Sequence, residues 1–277
     1  MTSLRLCRRI AVLLSAALLA GLAGCASLSL AYRQLPLLAG FWADAWLDLD
    51  RPQRARLREQ LQAWQAWHRR EELPQWLALL QQAHAALDGG VTPDELLALE
   101  QGARASAERC LRQAAPLAAP LLADLRPGQW RHLQRRMDEK AADWHDRQAG
   151  RDGPAERGKR HAASLERWLG DLDRGTRRQA RADAEGWRFD LPAMAQARAA
   201  RQARTLEALR AWSRQDLAGG TALLMQNLQP QPAEQAYRDE VLASLLRLLN
   251  GLDAGQREQV RRHWAGWRAE LHRLHAP

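Results

Sequence analysis

Beyond its first 24 residues the chain has no isoleucine, and Val91, Val241 and Val260 are its only valines. Strands favour β-branched side chains, so this lack argues against a sheet, while the dominant Ala, Leu, Arg, Gln and Glu favour helix. Phenylalanine and tyrosine number two each against twelve tryptophans. The large core anchors must therefore be indoles, each burying much area but needing an acceptor for its N–H. Lysine is nearly missing, since Lys140 and Lys159 leave the positive charge to arginine. That charge is spread among glutamates and aspartates with no uninterrupted basic block, which argues against nucleic acid as a partner. G-x-S-x-G, G-x-x-x-x-G-K-[ST], G-x-G-x-x-G and H-E-x-x-H are all absent, so nothing points to a familiar catalytic or cofactor site. These absences predict an all-α protein, a multi-helix bundle or layered helical array, without catalytic activity, cofactor or metal.

The amino terminus carries the clearest positive signal. Arg5, Arg8 and Arg9 form a basic segment, Ile10 to Ala20 a short apolar one, and small residues follow, which is the layout of a secretory signal peptide. About 20 apolar residues are needed to span a bilayer, and this run is shorter. Leu22-Ala23-Gly24-Cys25 resembles a bacterial lipobox, whose cysteine takes a diacylglyceryl thioether before cleavage and an N-acyl chain such as palmitate afterwards. The resemblance predicts a lipid attachment at Cys25 and a membrane-anchored, non-spanning protein, because several acyl chains hold where one holds only marginally. Ala26 in place of an aspartate predicts the outer membrane of a Gram-negative bacterium, on its periplasmic face. Loss of residues 1–24 lowers the formal charge from +9 to +6. Cys7 goes with the leader and Cys25 becomes a thioether, so Cys110 has no disulfide partner in the chain and is expected to be a buried structural thiol.

Four segments share one frame. Leu49-Asp50-Arg51-Pro52-Gln53, Leu125-Arg126-Pro127-Gly128-Gln129, Leu172-Asp173-Arg174-Gly175-Thr176 and Leu252-Asp253-Ala254-Gly255-Gln256 each open an amphipathic run. Asp50 with Gln53, and Asp253 with Gln256, have capping-box spacing. Leu73-Pro74 is echoed by Leu191-Pro192, and Gly89-Gly90 by Gly219-Gly220. The echoes suggest a duplicated unit: a signal peptide at 1–24, a lipidated tether at 25–30, helical halves at 31–148 and 156–277, and a linker near 148–158. Recurrent caps in any helical protein would give part of this pattern as well. Helices are predicted at 30–47, 52–71, 75–87, 93–123 with a kink at Pro116 and Pro120, 128–147, 156–170, 174–187, 192–213, 216–227, 233–249 and 254–274.

Trp67-His68-Arg69-Arg70-Glu71-Glu72-Leu73-Pro74 places four charges at a helix end that Pro74 should terminate, because proline disfavours helical backbone at the residue before it. His68 and Glu72 stand one turn apart, too few for a metal site. Lacing to a neighbouring helix and binding of a partner are both compatible with this cluster. Together with Tyr32, the run Phe41-Trp42-Ala43-Asp44-Ala45-Trp46-Leu47-Asp48 and the start Leu49 to Arg54, the segment resembles an uncharacterised family of all-helical proteobacterial lipoproteins, a domain of unknown function. The resemblance runs from about Tyr32 to Leu80 and implies helical class and envelope compartment, without an activity. The L-x-x-x-Q frame is also similar to the L-T-x-x-Q signature of small periplasmic stress chaperones, whose helices form a cradle with a basic concave face. Here Asp50, Arg126, Asp173 and Asp253 replace the threonine, and Thr176 one glutamine. That likeness implies binding of envelope proteins, as a chaperone or assembly adaptor, with Trp42, Trp46, Trp67, His68, Arg69, Arg70 and Glu71 as the expected binding residues. The alternative is a structural protein that lies on anionic lipid or glycan through an arginine-rich face.

Overall fold

The computed structural model describes residues 32–148 and 153–275. The leader, Cys25 and the tether lie outside the described residues, as do residues 149–152 of the expected linker. Every regular element among the described residues is a helix: α1 (Leu35–Leu47), α2 (Arg51–Trp67), a π-turn (His68–Glu72), α3 (Leu73–Gly89), α4 (Pro93–Ala123), α5 (Pro127–Asp146), α6 (Pro154–Leu169), α7 (Arg174–Gly186), α8 (Leu191–Ser213), α9 (Leu217–Gln226), α10 (Pro232–Gly251) and α11 (Ala254–His275). The starts follow from their caps. Asp50 accepts the Gln53 N–H at 3.0 Å, Thr92 that of Glu95 at 3.2 Å, and Asp253 that of Gln256 at 2.8 Å, each satisfying a donor that the helix leaves orphaned. α4 continues through Pro116 and Pro120.

The four L-x-x-x-Q frames come together in pairs. Gln53 and Gln129 are both buried, and their side chains bond each other, with Gln129 Nε2 donating to Gln53 Oε1 at 2.7 Å. Each oxygen also accepts the backbone N–H at its own helix start, from Asp50 at 3.1 Å and Arg126 at 3.0 Å. Each amide nitrogen reaches across the interface, Gln53 to the Asp124 carbonyl at 3.1 Å and Gln129 to the Asp48 carbonyl at 2.8 Å. Arg126, standing where the other frames have aspartate, donates to Asp50 at 2.7 Å. The third and fourth frames meet likewise: Gln256 donates to Asp173 and, at 3.0 Å, to the Thr176 hydroxyl. All four frame leucines, Leu49, Leu125, Leu172 and Leu252, are buried.

Two cores result. One gathers Leu49, Ala119, Leu122, Leu125 and Trp212; the other gathers Leu87, Val91, Leu165, Leu169, Leu252, Val260 and Trp264. Each draws on residues from both sides of the linker, so the stretches 31–148 and 156–277 interlock. Asn250 ties them further, exchanging two 2.8 Å hydrogen bonds with the Val91 backbone.

Two expectations are corrected. Pro74 does not end a helix: Leu73 keeps helical dihedrals (φ −58°, ψ −38°), and the chain runs from α2 through the π-turn into α3. The wider turn lets the Leu73 N–H reach the His68 carbonyl five residues back, a register shift of the kind a helix uses to accommodate an extra residue. The glycine echo is not structural either. Gly90 follows α3 with φ +88°, whereas Gly220 lies inside α9, where a Cβ would come within 2.6 Å of the Ala208 carbonyl oxygen on α8. The first glycine serves a turn, the second a close helix crossing.

Candidate functional site

The segment singled out by sequence lies at the open end of the α1–α2 hairpin, and most of it is engaged internally. Glu72 is 1% exposed and takes a bidentate grip from Arg109 on α4, at 2.6 Å to Oε1 and 3.1 Å to Oε2, with the buried Ser106 hydroxyl adding a 2.7 Å bond. Burial alone would push the Glu72 carboxyl up, but the Arg109 and Ser106 donors outweigh it and hold the group below the usual carboxylate range. His68 stacks on Trp64, ring centroids 4.9 Å apart, and its Nδ1 lies 3.0 Å from the Tyr32 hydroxyl. Burial lowers the His68 pKa against a smaller opposing pull from Glu72, which favours the neutral ring beside that hydroxyl. Gln65 clasps the Tyr32 carbonyl. The start of the described chain is therefore pinned to the π-turn.

The far end of the molecule closes on the same turn, where His275 Nδ1 donates to the Arg69 carbonyl at 3.0 Å. Trp64 donates to the Cys110 carbonyl at 3.4 Å, and burial pushes the half-buried Cys110 thiol up to about 11. That rise keeps the thiol protonated near neutral pH, as expected of a structural cysteine.

Of the expected binding residues, His68, Arg69 and Trp67 are half-buried in this knot, whereas Arg70 and Glu71 face solvent and pair with each other at 2.7 Å. Trp42 and Trp46 lie on α1 with rings 5.4 Å apart. Trp42 is 65% exposed and joins Phe41, Leu37 and Leu38, all exposed, on one face of α1. Trp46 turns instead toward Met137 and Trp144 of α5 and Arg198 of α8, and Arg198 stands 5.3 Å above the Trp144 ring. The structure thus sets the π-turn and Arg70–Glu71 at the open end of the hairpin and keeps Trp42 beside Trp46, further along α1.

Sequence reasoning missed two things. The Arg109–Ser106 partners of Glu72 stand more than thirty residues away on α4, and no local signal names them. The Leu37–Leu38–Phe41–Trp42 face did have a signal, an apolar spacing of one and four on a helix with only one charge. It was obscured because α1 is apolar nearly all round. Among the described residues no group of three or more His, Cys, Asp or Glu side chains is placed to hold a metal, and no helix is long and apolar enough to cross a membrane.

No curated protein and no solved structure matches the chain. A family model does match, over residues 45–238. It begins within α1 and ends in α10, so it takes in the π-turn with Glu72, Ser106 and Arg109, the Gln53–Gln129 pair and the third frame. The match covers most of the chain, and the protein accordingly belongs to DUF6279, a family of unknown function.

Proposed function

We propose that this protein is an envelope lipoprotein, acylated at Cys25 and held on the periplasmic face of the outer membrane, where it binds envelope proteins as an adaptor or chaperone rather than catalysing a reaction. The observation that carries the reading is the exposed face of α1. Among the described residues, four of the six large hydrophobic side chains that stay exposed, Leu37, Leu38, Phe41 and Trp42, lie on this one short face, twelve to seventeen residues after the lipobox cysteine. Contiguous exposed apolar side chains mark interaction surfaces in soluble domains, and tryptophan beside arginine is enriched at the energetic centres of protein interfaces. Arg54 and Arg58 of α2 line a pocket with Leu37 and Phe41 and supply a polar rim to such a contact.

The arginine-rich surface supports binding to lipid or glycan less well. Many of its guanidinium groups are already committed, as in Arg109–Glu72, Arg177–Glu166, Arg201–Glu234, Arg238–Glu100 and Arg261–Asp88.

The test is a photo-crosslinking side chain at position 42 in living cells, with a second at Arg70 and a third at the exposed Leu97 as control. Defined envelope proteins captured at positions 42 and 70 but not at 97 are the expected result. Capture of lipid alone at 42 would replace the protein-binding reading with a bilayer seat for α1.

A further inference from the structure

Helices α3, α4, α6, α10 and α11 enclose an open cleft of about 390 Å³. Every residue lining it is Trp, Leu or Ala. Trp76, Trp168, Trp264 and Trp267 supply the aromatic walls, with Leu99 and Leu245 among the aliphatic lining. The one indole N–H whose partner lies within the cleft is spent on the wall itself, since Trp264 donates to the Trp168 carbonyl at 2.7 Å. Trp168 and Trp267 meet edge to face with centroids 5.2 Å apart, and Trp168 remains 55% exposed. Ligand sites of this size ordinarily combine an apolar lining with a few placed polar groups that fix orientation. Here the lining has none, and apolar cavities do not hold water well. The portion of an occupant inside the cleft is therefore pure hydrocarbon.

What stands beside the tryptophans fixes the rest of the occupant. Arg268 follows Trp267 and stands one helical turn after Trp264 on α11; it is exposed and forms no ion pair among the described residues. It differs in this from the committed arginines above. Arg268 also acts on His84, whose ring lies 5.4 Å from that of Trp264, and helps to keep it neutral. Positive charge without a counter-ion beside a hydrocarbon slot calls for an anionic head on an apolar tail.

We propose that this cleft binds a single acyl chain of an anionic amphiphile, with the chain among the four tryptophans and the head against Arg268. The source is near at hand if the anchor reading above holds. Tyr32 is fixed at His68, and Trp76 lies eight residues further along, about 12 Å at helical rise. The seven-residue step from Cys25 to Tyr32 reaches at most about 25 Å, so a bilayer at Cys25 lies within range of the cleft.

The experiment uses the protein carrying Cys25→Ser in solution, which removes both its own acyl chains and any dependence on the anchor, so that failure of the cleft and failure of the anchor are told apart. The probe is 11-(dansylamino)undecanoic acid, read by energy transfer from tryptophan. The expected result is saturable one-to-one binding in the micromolar range, weakened tenfold or more by Ala103→Trp, which fills the slot, and several-fold by Arg268→Glu, with helicity unchanged in both. Because Arg268 is exposed, its variant remains informative if Ala103→Trp fails to fold. Displacement by oleate alone identifies a free fatty acid as the ligand, and equal displacement by lysophosphatidylglycerol identifies the chain of a phospholipid; either supports the proposal. Absence of energy transfer, or binding indifferent to both substitutions, overturns it. So does binding of reduced, carboxymethylated lactalbumin without uptake of the probe, which would make the cleft a polypeptide site.

Discussion

Glu72 illustrates what burying one charge demands. A carboxylate removed from water is tolerated only when donors replace its solvation, and here a guanidinium fork and a hydroxyl do so at 2.6 to 3.1 Å. Removing one partner leaves the other uncompensated, so Arg109→Met should cost about 3–5 kcal/mol, while Arg70→Met, at an exposed pair, should cost well under about 1 kcal/mol. Denaturant unfolding of the two variants measures the contrast; equal small effects would show that Glu72 takes up a proton or finds water. The sign with pH follows from the depressed Glu72 pKa. Its stabilisation is present above the unfolded value of about 4.3 and is lost as pH falls through the lower folded value. At this scale the sequence announced a charged helix end at residues 68–72 but not the direction of its charges. Glu71 and Glu72 are adjacent and chemically alike, and only the π-turn decides that one faces solvent and the other the core.

Between elements, the frame glutamines couple helix starts that lie far apart in sequence. An amide suits the position because it both accepts and donates: the Gln53 and Gln129 oxygens cap their own helices, and their nitrogens bond the opposite loop. Glutamate in either place would lose the donor half. Gln53→Leu and Gln129→Leu should each destabilise by about 1–3 kcal/mol, the cost of orphaning buried polar partners. The double variant should fall short of the sum by about 0.5–3 kcal/mol, as expected for groups in contact. A strictly additive double variant in the same unfolding assay would mean that the two caps act independently. Helix positions were largely legible because caps, prolines at first turns and apolar spacing are local, as at Thr92-Pro93-Asp94-Glu95, which opens α4 where expected. The pairing of the frames was not, since a capping box reads the same whether its glutamine ends in water or in a partner 76 residues away. The break expected at Pro74 failed for a related reason. Helix-ending rules assume a regular ladder, and a π-turn changes the register that the ring would obstruct.

Across the whole molecule, three histidines are held neutral in three different places: His68 at the π-turn, His84 against Trp264, and His161 against Trp187 at 4.5 Å. Burial is the first cause in each, opposed in part by Glu72, Asp88 and Asp183, and for His84 reinforced by Arg268 and Arg261. A histidine whose folded pKa lies below its unfolded value of about 6.5 excludes a proton that the unfolded chain binds, so stability rises with pH through that window and falls on acidification. Each such group contributes at most about 1.4 kcal/mol per pH unit, reduced by solvent where the ring is partly exposed. Protonation would also add positive charge to a chain that is already net positive, which increases self-repulsion in the compact state. Unfolding midpoints should therefore drop steadily from pH 7.5 to pH 5, before any carboxylate titrates. The slope should flatten when His68, His84 and His161 are replaced by glutamine together, a change that keeps hydrogen-bonding capacity and removes the proton uptake. A midpoint unchanged over that range would show that the rings admit protons as readily folded as unfolded. An unaltered slope in the triple variant would assign the pH dependence to general charge repulsion instead of to these three partly buried sites.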